Sequence, residues 1–212
     1  SPDWTRSIES TSTPSSMDFY YIPLNKVLVN YNQYNWNVLD QHLAYAASRH
    51  KHVVWRVYIH YPGRPLAVPE YLLSEIQLCN TSDGQSPQYD DRILLNALEQ
   101  FIQAFGQRYD GHKSVGFIQL GLLGKWYALS FVSGRLFTDV VDSRRGEWHT
   151  WPEEGLLSES TMDKLIGWYA DAFNSTKMQL RYPRSSAYRA GFGLHDDSFG
   201  HTTLDGPYNG GV

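Results

Sequence analysis

Along this chain, stretches dense in β-branched and aromatic residues alternate with stretches whose apolar residues recur at helical spacing, and few folds accept that alternation. His52 to Tyr61 reads HVVWRVYIHY, a run suited to a buried, pleated strand, and Pro62-Gly63 ends it. Before it, Trp36 to His50 places Val38, Leu39, Leu43, Ala46 and Ala47 at helical spacing, with Asp40 and Gln41 left for an exposed face. After it, Asp90 to Tyr109 carries Ile93, Leu94, Leu98, Phe101, Ile102 and Phe105 on one face, which predicts a second helix. Val115 to Leu123 (VGFIQLGLL) predicts a second buried strand, and Thr161 to Phe173, with Met162, Leu165, Ile166, Trp168 and Tyr169, a third helix. Phe19 to Val29 suits an extended segment around Pro23, and Met178 to Tyr182 and Gly191 to Leu194 suit short strands. Residues 63–88, with Pro65, Pro69, Gly84 and Pro87, predict a long connection that holds a short helix over Glu70 to Leu78.

Alternation of this kind means parallel strands joined by right-handed helical crossovers. An open doubly wound sheet and a (β/α)8 barrel both satisfy it. No G-x-G-x-x-G turn follows a strand, so nothing favours a dinucleotide-binding fold. The pattern supplies about five strands where a full barrel has about eight, and the chain stops at Gly210-Gly211-Val212 without a closing helix. The expectation is an α/β fold of (β/α)8 TIM-barrel type, with the N-terminal half present. Residues 1–16, rich in Ser, Thr and Pro, are expected to be a flexible lead-in, and residues 17–212 one partial barrel domain.

Composition narrows the function. The net charge is −4 and basic residues never cluster beyond two in a row, so phosphate-neutralising contact with nucleic acid is not expected. No apolar run reaches the length of a membrane span. The single cysteine, Cys79, excludes an intramolecular disulfide and a thiolate metal cluster. The chain begins at Ser1 without a Met or a signal-like apolar stretch, so a signal peptide, if the protein has one, is not in this chain. Two glycosylation triplets occur, Asn80-Thr81-Ser82 and Asn174-Ser175-Thr176. Seven Trp and fifteen Tyr exceed what a core of this size requires. They predict either a Trp-rich core or a cleft that stacks flat apolar faces such as those of pyranose rings.

Polar residues gather where the predicted strands end, the rim on which parallel α/β folds build active sites. They are Tyr58, His60 and Tyr61; Lys125 and Trp126; Arg181, Tyr182 and Arg184; and His195, Asp196, Asp197 and Ser198. Gly146-Glu147-Trp148-His149 is the sharpest motif. Glu147 suits a general acid, with Trp148 lowering the local dielectric and raising the carboxyl pKa. His195-Asp196-Asp197 has the donor types of a metal site. Adjacent strand residues point to opposite faces, however, so one is expected to face the cleft while another pairs with a buried Arg, and no metal or cofactor is expected. Arg56 and Arg181 lie mid-strand in apolar runs. A buried Arg needs a compensating partner, and Asp196 or Asp197 is the expected one. No nucleophile elbow, zinc-protease motif or P-loop appears.

RVYIHYPGRP, VPEYLL, SPQYDD, FIQAFGQRYDG, VGFIQLGLLGKW, GEWHTWP, RYPR and GFGLHDDSFGHTTL together resemble one family, domain of unknown function 4832 with its N-terminal companion 4874. The resemblance covers most of residues 50–205, and residues 1–35 match poorly. It implies a secreted, glycosidase-like (β/α)8 barrel that acts on or binds carbohydrate. In an enzymatic member Glu147 would be the acid/base, and the second carboxylate would be Asp196 or Asp197 or, equally, a residue of later barrel strands expected beyond this chain. Arg56, Tyr58, His60, His149, Arg181, Tyr182 and His195 would hydrogen-bond sugar hydroxyls, while Trp126, Trp148 and Trp151 would stack on rings. A non-catalytic carbohydrate-binding barrel is the alternative.

The chain departs from the family pattern twice. His60 stands where the pattern is acidic, and residues 127–145 (YALSFVSGRLFTDVVDSRR) interrupt a motif that otherwise runs continuously from GLLGKW into GEWHTWP. The segment begins and ends at the motif break, as an unspliced intron translated in frame would. Amplifying the transcript across the junction separates that reading from an evolved loop. In the uninterrupted motif Glu147 sits on the rim, and the insertion releases that geometry. A catalytic group must be held to a fraction of an ångström, so this chain is expected to be poorly active as written.

Overall fold

The computed structural model describes residues 15–61, 63–81, 84–124, 157–181 and 184–195. Five strands form one sheet in the order β1 (Met17–Pro23), β4 (His52–Tyr58), β7 (Val115–Gln119), β8 (Lys177–Leu180) and β9 (Gly193–Leu194). Every neighbouring pair is parallel. Between these strands run α2 (Asn37–Ser48), α3 (Arg92–Tyr109), α4 (Glu159–Ala172) and α5 (Ser185–Arg189). The alternation predicted by the sequence is therefore present, with parallel pairing as the crossovers require. Among the described residues no helix is long and apolar enough to cross a membrane.

The helices begin where side chains satisfy their first N–H groups. The Asp91 carboxylate accepts from Ile93 N and Leu94 N at the start of α3, and Ser158 Oγ accepts from Thr161 N at the start of α4. At its other end α3 is followed by Asp110, whose carboxylate accepts the backbone N–H groups of Asn174, Ser175 and Thr176. Burial pushes Asp110 up, but those three donors outweigh it and hold the carboxyl below its ordinary value. Near the start of β1, buried Asp18 pairs with Arg49 and Lys51, tying the α2–β4 turn to the sheet.

Strand alternation divides β4 between two surroundings. Val53, Trp55 and Val57 face the helices, where the Trp55 ring lies 5.0 Å from Tyr109 and 5.9 Å from Phe105. That layer is the main core, completed by Tyr20, Leu98, Phe101, Leu165 and Tyr169. Val54, Arg56 and Tyr58 face the opposite side, the inward face of the curving sheet. The described tryptophans Trp36, Trp55 and Trp168 all belong to the core layer, so for these residues the Trp-rich core is the correct reading.

Three segments depart from expectation. The helix predicted over Glu70 to Leu78 is one 3₁₀ turn, Glu70–Leu72, and the chain beyond it pairs as a hairpin of β5 (Leu78–Thr81) with β6 (Gly84–Pro87). Cys79, Asn80 and Thr81 are weak helix formers, and Gly84, which pairs with Thr81, holds a φ of 125° that glycine adopts without steric cost. The extended segment predicted from Phe19 to Val29 breaks after Pro23 into a single helical turn, α1 (Leu24–Val27), and then a second hairpin of β2 (Leu28–Asn30) with β3 (Gln33–Tyr34). Ladder pairing in β4 and β7 stops at Tyr58 and Gln119 rather than Tyr61 and Leu123. The lead-in up to residue 14 and the insertion 127–145 lie outside the described residues.

Candidate functional site

The inward face carries a row of side chains set by strand register. Tyr21 on β1 pairs with Arg56 on β4, Arg56 with Gln119 on β7, Gln119 with Gln179 on β8, and Gln179 with Gly193 on β9. In-register residues of parallel strands project to the same side, so one phenol, one guanidinium and two amides lie abreast. Arg56 is 1% exposed. A guanidinium that buried must be compensated. Its Nη2 donates to Gln119 Oε1, and Gln119 Nε2 donates in turn to Gln179 Oε1 at 3.0 Å.

His195 closes the row. It follows β9, where Gly193 contributes no side chain, and its ring nitrogens lie 3.0 and 3.1 Å from Arg56 Nη2. Arginine carries only donors, so the ring nitrogen engaged by Arg56 is an unprotonated acceptor. Arg181, just past β8 and also buried, donates to the His195 carbonyl at 3.4 Å. The two buried arginines thus hold one histidine, one by its ring and the other by its backbone.

Aromatic rings flank the row. The Arg56 guanidinium lies 5.4 Å from the centroids of both Phe19 and Tyr21, within cation–π range. Tyr21 meets Tyr61 edge-on at 5.4 Å, and Tyr61 meets Tyr58 at 5.5 Å. Tyr58 and Ala67 form a small apolar cluster with Tyr21 and Tyr61, separate from the main core. Burial raises the Tyr58 phenol above its ordinary pKa, and the hydrogen bond and charge of Arg64 pull against it. His60 is buried just beyond the end of β4. The assembly is a buried, mutually hydrogen-bonded row of donors and acceptors beside flat aromatic faces.

Gly121 makes room for it. A Cβ there would lie 2.6 Å from Arg56 Cγ and 2.7 Å from the Val57 carbonyl oxygen. Gly121→Ala is therefore expected to push Arg56 out of the row and cost about 1–3 kcal/mol, the usual range for overpacking. Urea unfolding checks the loss, and an unchanged midpoint would contradict this packing.

Of the residues singled out in the sequence, the structure brings Arg56, Arg181 and His195 into contact and places Tyr58 beside them. The partners described for Arg56 are an amide and an imidazole, where a carboxylate was expected; Asp196 and Asp197 lie outside the described residues, as do Trp126, Glu147, Trp148, His149, Trp151 and Tyr182. Sequence reasoning missed Phe19, Tyr21, Gln119, Gln179 and Gly121. The usable signal was a single amide in an apolar strand, FIQLG and KMQL, which is the same anomaly that marked Arg56.

No family model matches the chain, and no curated protein does. Among solved structures it resembles endo-glycoceramidase II from Rhodococcus sp. as its lactosyl-enzyme intermediate, with a TM-score of 0.51 at 11% identity over 93% of this chain and 45% of that one. The ganglioside GM3 complex of the same enzyme gives 0.51 at 12% identity, over 92% and 47%. Xylanase 10B from Thermotoga petrophila RKU-1 with xylobiose gives 0.43 at 13% identity, over 79% and 42%. The chain spans less than half the length of each of these. At such identity the likeness is one of fold: the chain folds as part of a (β/α)8 barrel.

Proposed function

We propose that the inward, strand-end face binds carbohydrate and that the chain is a secreted, glycoside hydrolase-like protein related to the domain of unknown function 4832 family. The observation that carries this reading is the row Tyr21, Arg56, Gln119 and Gln179, closed by His195, across consecutive parallel strands. Sugars present vicinal hydroxyls that donate and accept together, and amide and guanidinium groups meet both needs. The aromatic rings of Phe19, Tyr21, Tyr58 and Tyr61 suit the apolar faces of the same rings. The fold likeness to glycosidases supports the placement of the site at the strand ends.

In the catalytic form of this reading Glu147 is the acid/base, and Asp196 or Asp197 is the second carboxylate. A retaining enzyme would hold the pair about 5–5.5 Å apart and an inverting one farther. Arg56 and His195 orient the sugar, with His60, His149, Arg181 and Tyr182 adding hydroxyl contacts and Trp126, Trp148 and Trp151 stacking. A non-catalytic binding barrel is the second reading. It is favoured by the row itself, whose members Tyr21, Arg56, Gln119, Gln179 and His195 include no carboxylate of the kind that glycoside hydrolysis uses.

A hydrolysis screen over glycosides and polysaccharides decides between them. It would use the chain with residues 127–145 deleted and the same chain carrying Glu147→Gln. Product from the first, reduced about a hundredfold or more in the second as expected for loss of a general acid, supports the glycosidase with Glu147 in the chemistry. Product from both at equal rate removes Glu147 from that role. No product, with sugar binding retained, establishes the binding barrel.

A further inference from the structure

On the opposite, outward side of the sheet, the β2–β3 hairpin and α3 border a shallow, open groove of about 420 Å³, lined by Asn32, Tyr34, Gln100, Gln103, Ala104 and Gln107. It continues past Trp36 to Arg108, sharing Tyr34, Ala104 and Gln107 with a neighbouring hollow of about 340 Å³. We propose that this groove is a second carbohydrate site, distinct from the strand-end face, which holds a short run of neutral sugar units from a glycan chain.

Three features point to that ligand class. The first is an amide stripe. Gln100, Gln103 and Gln107 lie three and seven residues apart on α3, so they share one helix face. Gln103 and Gln107 are exposed, while the core stripe of Leu98, Phe101, Ile102 and Phe105 faces the other way. Gln100 Nε2 is engaged by the Tyr31 hydroxyl and by Asn96 Oδ1, so the exposed Gln103 and Gln107 amides carry the stripe; each has two donors and an acceptor, which suits a row of hydroxyls better than it suits an ion or a hydrocarbon.

The second feature is a braced aromatic wall. Tyr34 stacks on Trp36 at 4.8 Å with 24° between the planes, and Trp36 is backed by Phe101 and Phe105 at 6.3 and 6.4 Å. The Tyr34 hydroxyl donates to the Gln100 carbonyl, and Gln100 Nε2 donates to the Tyr31 hydroxyl at 3.5 Å. Tyr31 is nevertheless 58% exposed, and it sits beside Asn32, whose φ of 52° makes the hairpin turn. An exposed phenol already held by its hydroxyl offers contact area at little entropic cost.

The third feature is charge. The one ionic group in the lining is Arg108, and it is engaged: its Nη2 lies 2.7 Å from Asp40 Oδ2, and its guanidinium lies 5.9 Å from the Trp36 ring. A phosphate polymer would need cations that are not already paired, so a neutral polyhydroxyl chain fits and a nucleic acid does not. The groove packs on the helix side of Trp55 and shares no residue with the Arg56 row, so this inference goes beyond the strand-end reading and does not depend on it.

Side-chain amide signals of the ¹⁵N-labelled full chain report both places in one spectrum. The probes are cellohexaose, xylohexaose and laminarihexaose. The expected result is that at least one sugar shifts the Gln103 and Gln107 amides, and that Gln103→Ala with Gln107→Ala weakens that sugar roughly tenfold, about 1.4 kcal/mol. Both positions are exposed on a helix, where alanine is the better helix former, so the fold is retained. If no probe moves these amides at saturation, or if the double variant binds as the parent does, the groove site is overturned. The strand-end reading stands or falls separately, on the Gln119 and Gln179 amides in the same titration.

Discussion

Replacing Gly106 by alanine is expected to destabilise the chain by about 2 kcal/mol or more, even though alanine is the better helix former by about 1 kcal/mol. Gly106 is buried on α3 where the end of α4 crosses it. A Cβ built there would lie 2.7 Å from Ala172 Cβ, 2.8 Å from the Ala172 carbonyl carbon, and in hard contact with the Ala172 carbonyl oxygen. Two of those atoms belong to the backbone, so no rotamer change relieves the overlap, and the end of α4 must move away. That movement opens the contact just beyond it, where Phe105 meets Phe173 edge-on at 5.2 Å. Overpacking against flexible side chains costs about 1–3 kcal/mol, and against backbone the cost belongs at the upper end or beyond. Urea unfolding followed by circular dichroism measures it. A Gly106→Ala chain as stable as the parent would mean that α3 and α4 are not packed this closely.

The second large effect is sensitivity to mild acid, carried by His42. It projects from α2 into the core, buried, with its ring stacked on Tyr20 at 4.0 Å and 10° between planes. Its Nδ1 has no hydrogen-bond partner among the described residues. Burial pushes its pKa down from 6.5 to about 4. The folded value lies below the unfolded one, so between them the unfolded chain binds more protons. The stability that comes from keeping His42 neutral is therefore fully present above about pH 6.5 and is lost as pH falls toward about 4. At about 1.4 kcal/mol per unit the loss is about 3 kcal/mol, as an order of magnitude. The Asp110 and Asp163 carboxyls, both held below their ordinary values, add losses with the same sign at lower pH, where they protonate. His42→Phe keeps a flat ring against Tyr20 and removes the titration. Unfolding free energies at pH 7 and pH 4.5 should differ much less in this variant than in the parent. Equal acid losses in the two would assign the effect to other groups.

The inward row illustrates why the candidate site was only half legible. Arg56 and His195 were visible because a charge in HVVWRVYIHY and an imidazole at the end of GFGLH are out of character for buried strands. Their mutual contact was not visible, since 139 positions separate them in sequence and only the sheet order β4-β7-β8-β9 brings them to one face. The same holds for Gln119 and Gln179, which are unremarkable alone and become a network through register. The carboxylate expected for Arg56 was inferred from charge balance, and Asp196 and Asp197 lie outside the described residues; the partners described, Gln119 and His195, show that a guanidinium's directional donors are also met by an amide oxygen and an imidazole.

The order and type of the main elements are already written in the local pattern of residues. Periodicity is a local property, so HVVWRVYIHY and VGFIQLGLL announce strands, and the apolar stripe of Asp90 to Tyr109 a helix, without reference to the rest of the chain. Parallel pairing followed from alternation, because successive strands separated by helices return in the same direction. Folding in three dimensions sets the core roles of Trp36, Trp55 and Trp168, how close α3 and α4 approach at Gly106, and that Gly121 admits Arg56 to the inward face. It also decides that Leu78–Thr81 pairs with Gly84–Pro87 instead of continuing a helix. These are contacts between residues distant in sequence or competing for the same backbone donors. Short-range pattern cannot rank such contacts; packing and hydrogen-bond satisfaction over the whole sheet do.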